Sequence, residues 1–200
     1  PAGPVLDAAH TVYTDHSIPR AAAGKRTVRL DRRLVPFWGG AAEPRELGLA
    51  YLEVAHREGN PSDLDRAFEL LRQARAKGDD DPPLLTRLAF LYDRAGDPQQ
   101  SAELYERALR EDGGQVDAAV NLGSMLARRG QWQGAIELWQ AALEANPGAE
   151  AAQINLALAH LTRGRREEAR AAVRRALEFN PDLPAARKLL VELTARAPQR

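Results

Sequence analysis

Residues 116–149 read VDAAVNLGSMLARRGQWQGAIELWQAALEANPGA, and residues 150–183 read EAAQINLALAHLTRGRREEARAAVRRALEFNPDL. The two segments share residues at a constant spacing of 34 positions: Asn121 and Asn155, Gly130 and Gly164, Ala135 and Ala169, Pro147 and Pro181. A period of this length indicates one supersecondary unit that stacks on copies of itself.

The spacing inside one unit predicts two helices joined by a tight turn. Leu122 and Leu126 lie one turn apart on the same side of a first helix. Gly130 ends that helix, because glycine takes the left-handed conformation without a steric penalty and lets the chain reverse. Trp139 fills the space beside small alanines on a second helix. Pro147 ends the second helix, since proline lacks an N–H group.

This pattern resembles the tetratricopeptide repeat, from about residue 41 to the C-terminus. The resemblance implies an all-α fold, a right-handed superhelix of about four helix pairs followed by a capping helix. We expect the repeats at 41–81, 82–115, 116–149 and 150–183, with the capping helix at 184–196 and an extended N-terminal arm at 1–40. In the first repeat the two halves stand seven residues further apart than in the others. We therefore expect an insertion near His56–Ser62, with Ser62 as the N-cap of the second helix.

Composition excludes several classes of function. The chain has 28 basic and 28 acidic residues, so it carries no general signature of nucleic-acid binding. It has no cysteine, which excludes disulfides and thiolate chemistry within the chain. No apolar run is long enough to cross a membrane. No catalytic or metal-binding constellation is present, and His160 is interpreted as a packing residue. We expect a protein that is not an enzyme.

The resemblance implies a peptide or protein partner on the concave face, which the first helix of each pair lines. The corresponding positions recur along three successive first helices: Thr86, Arg87, Phe90, Arg94, Val120, Asn121, Ser124, Arg128, Ile154, Asn155, Leu158 and Leu161. Asn121 and Asn155 could hold a peptide backbone through paired amide hydrogen bonds, or they could brace neighbouring helices. The family's carboxylate clamp is not reproduced, so the ligand is expected to bury apolar side chains.

The arm contains a second resemblance. Residues 9–20, AHTVYTDHSIPR, are similar to a segment of bacterial multihaem c-type cytochromes that carry a C-terminal tetratricopeptide array. In those proteins the segment closes the haem region, which makes His10 and His16 candidate haem ligands. This chain has no CxxCH attachment site. We therefore expect no cofactor in this fragment, with haem in a region upstream as the alternative.

Three functional interpretations remain open. The first is an interaction scaffold, which would be the assembly domain of an exported cytochrome if the second resemblance holds. The others are an electron-transfer protein that binds haem through the arm, and a cytosolic regulatory scaffold. The location is expected to be periplasmic or exported if the cytochrome resemblance holds, and cytoplasmic otherwise. The sequence does not specify the oligomeric state. Leu30–Trp38, which is apolar and tethered to the array, is one candidate occupant of the concave face.

Overall fold

The structure is a computed structural model that describes residues 42–195. Predictions that concern the arm, including those for His10 and His16, lie outside the described residues. Within 42–195 the chain is helical and contains no strand, which confirms the predicted all-α fold class. The helices are α1 (Pro44–Glu58), α2 (Pro61–Ala76), α3 (Pro82–Arg94), α4 (Pro98–Glu111), α5 (Val116–Arg128), α6 (Trp132–Ala145), α7 (Glu150–Thr162), α8 (Arg166–Phe179) and α9 (Pro184–Ala195).

Helices α1 and α2 belong to one compact unit of the chain, and α3–α9 belong to another. In the first unit α1 packs directly on α2. A Cβ at Gly48 would lie 2.7 Å from Cδ2 of Leu71, so the absence of a side chain at 48 lets the helices approach. Leu71 and Ala67 of α2 are fully buried in this contact. The helix pair thus buries a small core of its own.

The residues expected as an insertion near His56–Ser62 lie at the end of helix α1 and in the first turn of α2. Helix α1 continues to Glu58, Gly59 takes the left-handed conformation at φ +70°, and α2 begins at Pro61. The additional residues therefore lengthen the two helices, and the loop between them remains short. Asn60 is the N-cap in place of Ser62, because its side chain accepts a hydrogen bond from the Ser62 backbone N–H at 3.1 Å. Proline at the first helical position fixes this start.

Helices α3–α8 of the second unit form three pairs, α3 with α4, α5 with α6, and α7 with α8. Each pair turns at a glycine with positive φ, which is +84° at Gly96, +77° at Gly130 and +72° at Gly164. After Gly130 the Gln131 N–H donates to the Leu126 carbonyl at 2.9 Å, so the turn satisfies a carbonyl that the helix end leaves free. The same turn recurs at a spacing of 34 residues, and this repetition builds an α-α solenoid.

In the α5–α6 pair, Gly123 and Trp139 determine how closely the two helices pack. Gly123 lies against the indole of Trp139, where a Cβ would come within 2.6 Å of Nε1. Trp139 is only 3% exposed, and its Nε1–H donates to the Val120 carbonyl at 3.1 Å. The indole therefore fills the core and also pairs its polar atom, as buried tryptophans generally do.

Helix α9 packs against α8, as a capping helix does. Arg166 of α8 caps the last turn of α9, because its Nη2 donates a hydrogen bond to the Leu193 carbonyl at 2.6 Å. A cation at this position satisfies a free carbonyl and complements the negative end of the helix dipole. This contact ties the capping helix to the repeat before it.

We expect Trp139→Ala to lower the free energy of unfolding by about 3–5 kcal/mol, because it removes a buried ring and leaves a cavity between α5 and α6. The measurement is chemical denaturation of the full chain. Trp132→Ala is the matched control, since Trp132 is only partly buried and its loss should cost less. Equal losses for the two variants would contradict the role assigned to Trp139.

We expect Gly123→Ala to destabilise the protein by about 1–3 kcal/mol, because the new methyl group meets the buried indole ring. The control is Gly134→Ala, whose methyl group would lie 3.1 Å from Cδ1 of Leu126, the end of a flexible and only partly buried side chain. Both changes gain up to about 1 kcal/mol of helix propensity, so the difference between them reports the clash. If Gly123→Ala and Gly134→Ala had the same free energy of unfolding, the close approach of Gly123 to Trp139 would not limit the packing of α5 on α6.

Candidate functional site

The predicted binding residues lie on three helices that follow one another in the second unit. We call this surface the first-helix face; it consists of the outward side of α3, α5 and α7. Thr86 and Val120 do not contribute surface to it, since they are 3% and 8% exposed and belong to the core. Ile154, which stands at the same repeat position, is half-buried and packs against the core formed by α7, α8 and α9. The other predicted residues are half-buried or exposed: Arg87, Phe90, Arg94, Asn121, Ser124, Arg128, Ile154, Asn155, Leu158 and Leu161.

Ion pairs join α3 to α5 along this face. Arg87 Nη1 lies 3.2 Å from Asp117 Oδ2, and Arg128 Nη2 lies 2.9 Å from Asp93 Oδ1. These pairs are largely exposed, so each contributes little to stability. They do neutralise two of the three predicted arginines. Arg94 has no ion-pair or hydrogen-bond partner among the described residues and keeps its charge available.

The two repeated asparagines each contact a neighbouring helix. Asn121 of α5 hydrogen-bonds the Tyr105 hydroxyl group of α4. Burial raises the pKa of that hydroxyl group far above its ordinary value, and the bond to Asn121 partly opposes the rise. Asn155 Nδ2 donates to Ser124 Oγ at 3.1 Å, which connects α7 to α5. Both side chains therefore brace the array. A side-chain amide has further donor and acceptor capacity, so a second role in holding a peptide remains a prediction.

The apolar part of the first-helix face is centred on α7. Leu158 is 45% exposed, which is unusual for a leucine in the middle of a packed helix. Ile154 is half-buried beside it, one turn earlier on the same helix. Phe90 of α3 is the equivalent of Leu158 two repeats earlier and is also half-buried. The face thus combines apolar residues on α3 and α7 with the amide groups of Asn121 and Asn155, which occupy equivalent positions in successive repeats.

A second site, which sequence reasoning missed, lies on the opposite side of α7. Two adjoining cavities of about 600 and 330 Å³ open between α6 and α8 and share Leu143, Leu156, Ala172 and Arg175 in their walls. We call this the second-helix groove. Its floor comes from α7, and its sides come from α6, which has exposed glutamates, and α8, which has exposed arginines and glutamates. The apolar signal, Leu143 with Ala172, was hidden among these charges.

Two polar residues on the floor of the second-helix groove have unsatisfied atoms. Gln153 is 3% exposed; its Nε2 donates to the Pro147 carbonyl at 2.5 Å, whereas Oε1 is buried without a partner among the described residues. His160 Nδ1 is also buried without a partner in the same part of the chain. A buried acceptor left unpaired costs about 1–3 kcal/mol.

His160 lies at the edge of the larger cavity and is only partly buried, so it is not the core residue that the sequence suggested. Burial lowers the pKa of His160, with nearby Arg165 and Arg163 acting in the same direction and Glu168 opposing them. The side chain is therefore neutral at pH 7, and it adds no charge to the groove.

Within residues 42–195, no group of three or more His, Asp or Glu side chains could hold a metal ion. The same residues include no helix that is both long and apolar enough to cross a membrane.

Comparisons with known proteins agree with the repeat pattern. Two family models of the tetratricopeptide repeat match the chain, one over residues 86–150 and the other over residues 126–193. A search of curated proteins finds no match.

Solved structures with a similar fold include YrrB, described as a TPR protein with an unusual peptide-binding site, at a TM-score of 0.58 and 20% identity over 72% of this chain and 71% of YrrB. A crystal structure of MamA matches at a TM-score of 0.59 and 22% identity over 69% of this chain and 77% of MamA.

The first TPR of Spaghetti (RPAP3), bound to the HSP90 peptide SRMEEVD, matches at a TM-score of 0.54 and 19% identity over 57% of this chain and 91% of its own. Such low identities establish the fold alone. The two family models identify tetratricopeptide repeats within residues 86–193 of the chain.

Proposed function

We propose that the chain is a non-enzymatic interaction module that binds an apolar segment of a partner protein on the first-helix face. The observation that carries the proposal is Leu158 of α7, which is 45% exposed, with half-buried Ile154 one turn earlier on the same helix. Phe90 of α3 occupies the equivalent position to Leu158 two repeats earlier and is also half-buried. Apolar side chains left open to water on the outward side of packed helices are typical of surfaces that another protein covers.

The charges of the face support an apolar ligand in preference to an acidic one. Arg87 and Arg128 are already paired with Asp117 and Asp93, so binding an acidic peptide end would require these pairs to separate. Arg94 is the only predicted arginine left without a partner among the described residues. The peptide SRMEEVD in the Spaghetti structure is acidic at its end, so its mode of recognition is not the one expected for this chain.

In the proposed interaction, Asn121 and Asn155 form hydrogen bonds with the backbone of the bound peptide. Asn121 and Asn155 stand one repeat apart, and each can add a hydrogen bond to a peptide backbone while keeping its bond to Tyr105 or Ser124. Because the array is braced before a ligand arrives, binding would order few additional protein groups. Preorganisation of this kind favours affinity.

A second candidate function is that of an assembly domain in an exported multihaem cytochrome. The observation in its favour is the similarity of residues 9–20 to the segment that closes the haem region of such proteins. This segment lies outside the described residues, so the proposal depends on sequence alone. Sequencing of the gene upstream tests it: CxxCH motifs and a signal peptide support the cytochrome, and their absence leaves a regulatory scaffold.

The first-helix face can be tested with peptides selected from a random twelve-residue library on the full chain. We expect the double variant Asn121→Ala with Asn155→Ala to weaken the best peptide by about tenfold or more, since each lost hydrogen bond contributes about 1 kcal/mol. Leu158→Asp should weaken it further, because a charge replaces the exposed apolar centre. Affinity is measured by titration calorimetry, and circular dichroism verifies that helix content is retained.

The matched control is Val191→Asp on α9, which changes a residue that is 65% exposed but outside the face. It should leave the affinity unchanged. Unchanged binding in the double asparagine variant would assign these residues to bracing only. If Leu158→Asp and Val191→Asp had equal effects, the peptide would not bind the first-helix face.

We expect the chain to bind no haem. Its two N-terminal histidines, His10 and His16, stand without attachment cysteines, and two imidazoles alone make a weak haem site. Titration with haemin, followed by absorption spectroscopy, is expected to give no bis-histidine spectrum. A saturable spectrum lost in His10→Ala or His16→Ala would instead support the electron-transfer function.

A further inference from the structure

The larger cavity of the second-helix groove lies where helices α7 and α8 depart from the sequence of the preceding pair. Residues 150–179 occupy the same helix positions as residues 116–145, 34 residues earlier. In the cavity wall, His160 stands where α5 has Leu126, and Ala172 stands where α6 has Leu138. Both leucines are partly buried, and Leu126 packs against the core of its own pair. The cavity of about 600 Å³ is therefore lined by side chains that are smaller or more polar than those one repeat earlier.

Two further departures add negative charge to the groove. Glu168 of α8 stands where α6 has Gly134, and Glu144 of α6 stands where α4 has Arg110. Each exchange makes its position more negative than the equivalent position of the preceding repeat. The acidic character is therefore particular to the groove between α6 and α8 and is not repeated along the array.

The charges in the lining do not balance. Glu144, Glu168 and Glu178 are all exposed, and none of them forms an ion pair within residues 42–195. Arg175 is the only Lys or Arg among the described residues of the two cavity walls. With His160 neutral, the lining has a formal charge of −2. The groove therefore attracts a basic ligand, and it repels nucleic acids and anionic lipid surfaces.

Apolar surface is available at the walls and at one end of the groove. Leu156 on the floor is only 6% exposed and offers little area, whereas Leu143 and Ala172 in the walls are partly exposed. Phe179 at the end of the smaller cavity is 57% exposed. A Cβ at Gly148 would lie 3.5 Å from Cδ1 of this ring, so one part of the ring packs on the α6–α7 loop. An aromatic ring that is held in place and open to water is a typical anchor for a partner protein.

The groove is long enough for a short protein segment. Glu168 and Glu178 are ten residues apart on α8, which separates their Cα atoms by about 15 Å along the helix axis. A partner segment of about ten helical residues or about five extended residues spans this distance. A segment with Lys or Arg near both ends and apolar side chains between them complements both the carboxylates and the walls.

We propose that the second-helix groove is a further docking surface, which binds a segment of a partner protein that carries both basic and apolar side chains. The basic groups pair with Glu144, Glu168 and Glu178. The apolar side chains enter the larger cavity beside Ala172 and pack on Phe179. The proposal is independent of the function assigned to the first-helix face, which lies on the other side of α7.

Peptide selection with a matched counter-selection tests the proposal. The bait is the full chain with Leu158→Asp, which disables the first-helix face. The counter-bait also carries His160→Leu and Ala172→Leu, which place in the cavity the two leucines of the preceding repeat. The probe is a random library of twelve-residue peptides. We expect the peptides that bind the bait and not the counter-bait to be enriched in Lys, Arg and large apolar residues, and to be depleted of Asp and Glu.

The selected peptides are then titrated by calorimetry against glutamine variants of the bait. Glu144→Gln with Glu168→Gln should weaken binding about fivefold or more, because two ion pairs are lost. The matched control is Glu103→Gln with Glu137→Gln, which removes the same charge from exposed positions outside the cavity walls. It should change the affinity by less than about twofold. Raising the salt concentration should weaken binding to the unmodified groove.

The filled counter-bait should melt at or above the temperature of the bait, because filling a cavity usually adds packing contacts. If it does not fold, the protein with Glu144→Gln and Glu168→Gln replaces it in the counter-selection. The proposal is overturned if no peptide distinguishes bait from a folded counter-bait, or if the distinguishing peptides are acidic. Equal losses for the two glutamine pairs would also overturn it. Because every bait carries Leu158→Asp, none of these results depends on the first-helix face, and the two proposals fail separately.

Discussion

The two helices of a pair can approach closely because a glycine on the first helix faces a large side chain on the second helix. Gly123 faces Trp139 in this way, and Gly48 faces Leu71 in the first unit. Because the contact fixes how each first helix is rotated, it also determines which residues turn outward. Asn121 and Ser124, on either side of Gly123, reach the first-helix face only because the glycine holds α5 against the indole ring. The orientation of the first-helix face is therefore a consequence of a packing constraint in the core.

The repeat spacing predicted most of the fold because the physical signals are local. Glycines with positive φ, prolines at helix starts and small residues at fixed intervals each act within a few positions of the chain. The first pair departs from this spacing. Its extra residues were expected near His56–Ser62, and they extend α1 to Glu58 and form the first turn of α2, because no residue before Gly59 ends the first helix. The N-cap was assigned to the wrong residue, since Asn60 caps α2 in place of Ser62.

The candidate site was predicted less completely, for a different reason. Helical period identifies the side of α5 or α7 that turns away from the core, but it does not reveal which outward polar groups are already occupied. Asn155 bonds Ser124, and Arg128 pairs with Asp93, across sequence distances of 31 and 35 residues. Such partners depend on the stacking of repeats and cannot be found within one repeat. The second-helix groove was missed because its lining comes from three helices, α6, α7 and α8, and none of them alone shows an apolar stripe that marks the groove.

Helix α7 is the element on which the two surfaces meet. Between Ala151 and Leu161 it contains no Asp, Glu, Lys or Arg, so it has no strongly polar side to turn towards water. A helix without charged side chains is normally covered over most of its surface. In this array the side of α7 that carries Leu156 meets this expectation, because Leu156 is only 6% exposed. The other side leaves Leu158 45% exposed. The incompletely covered side of α7 is therefore the first-helix face.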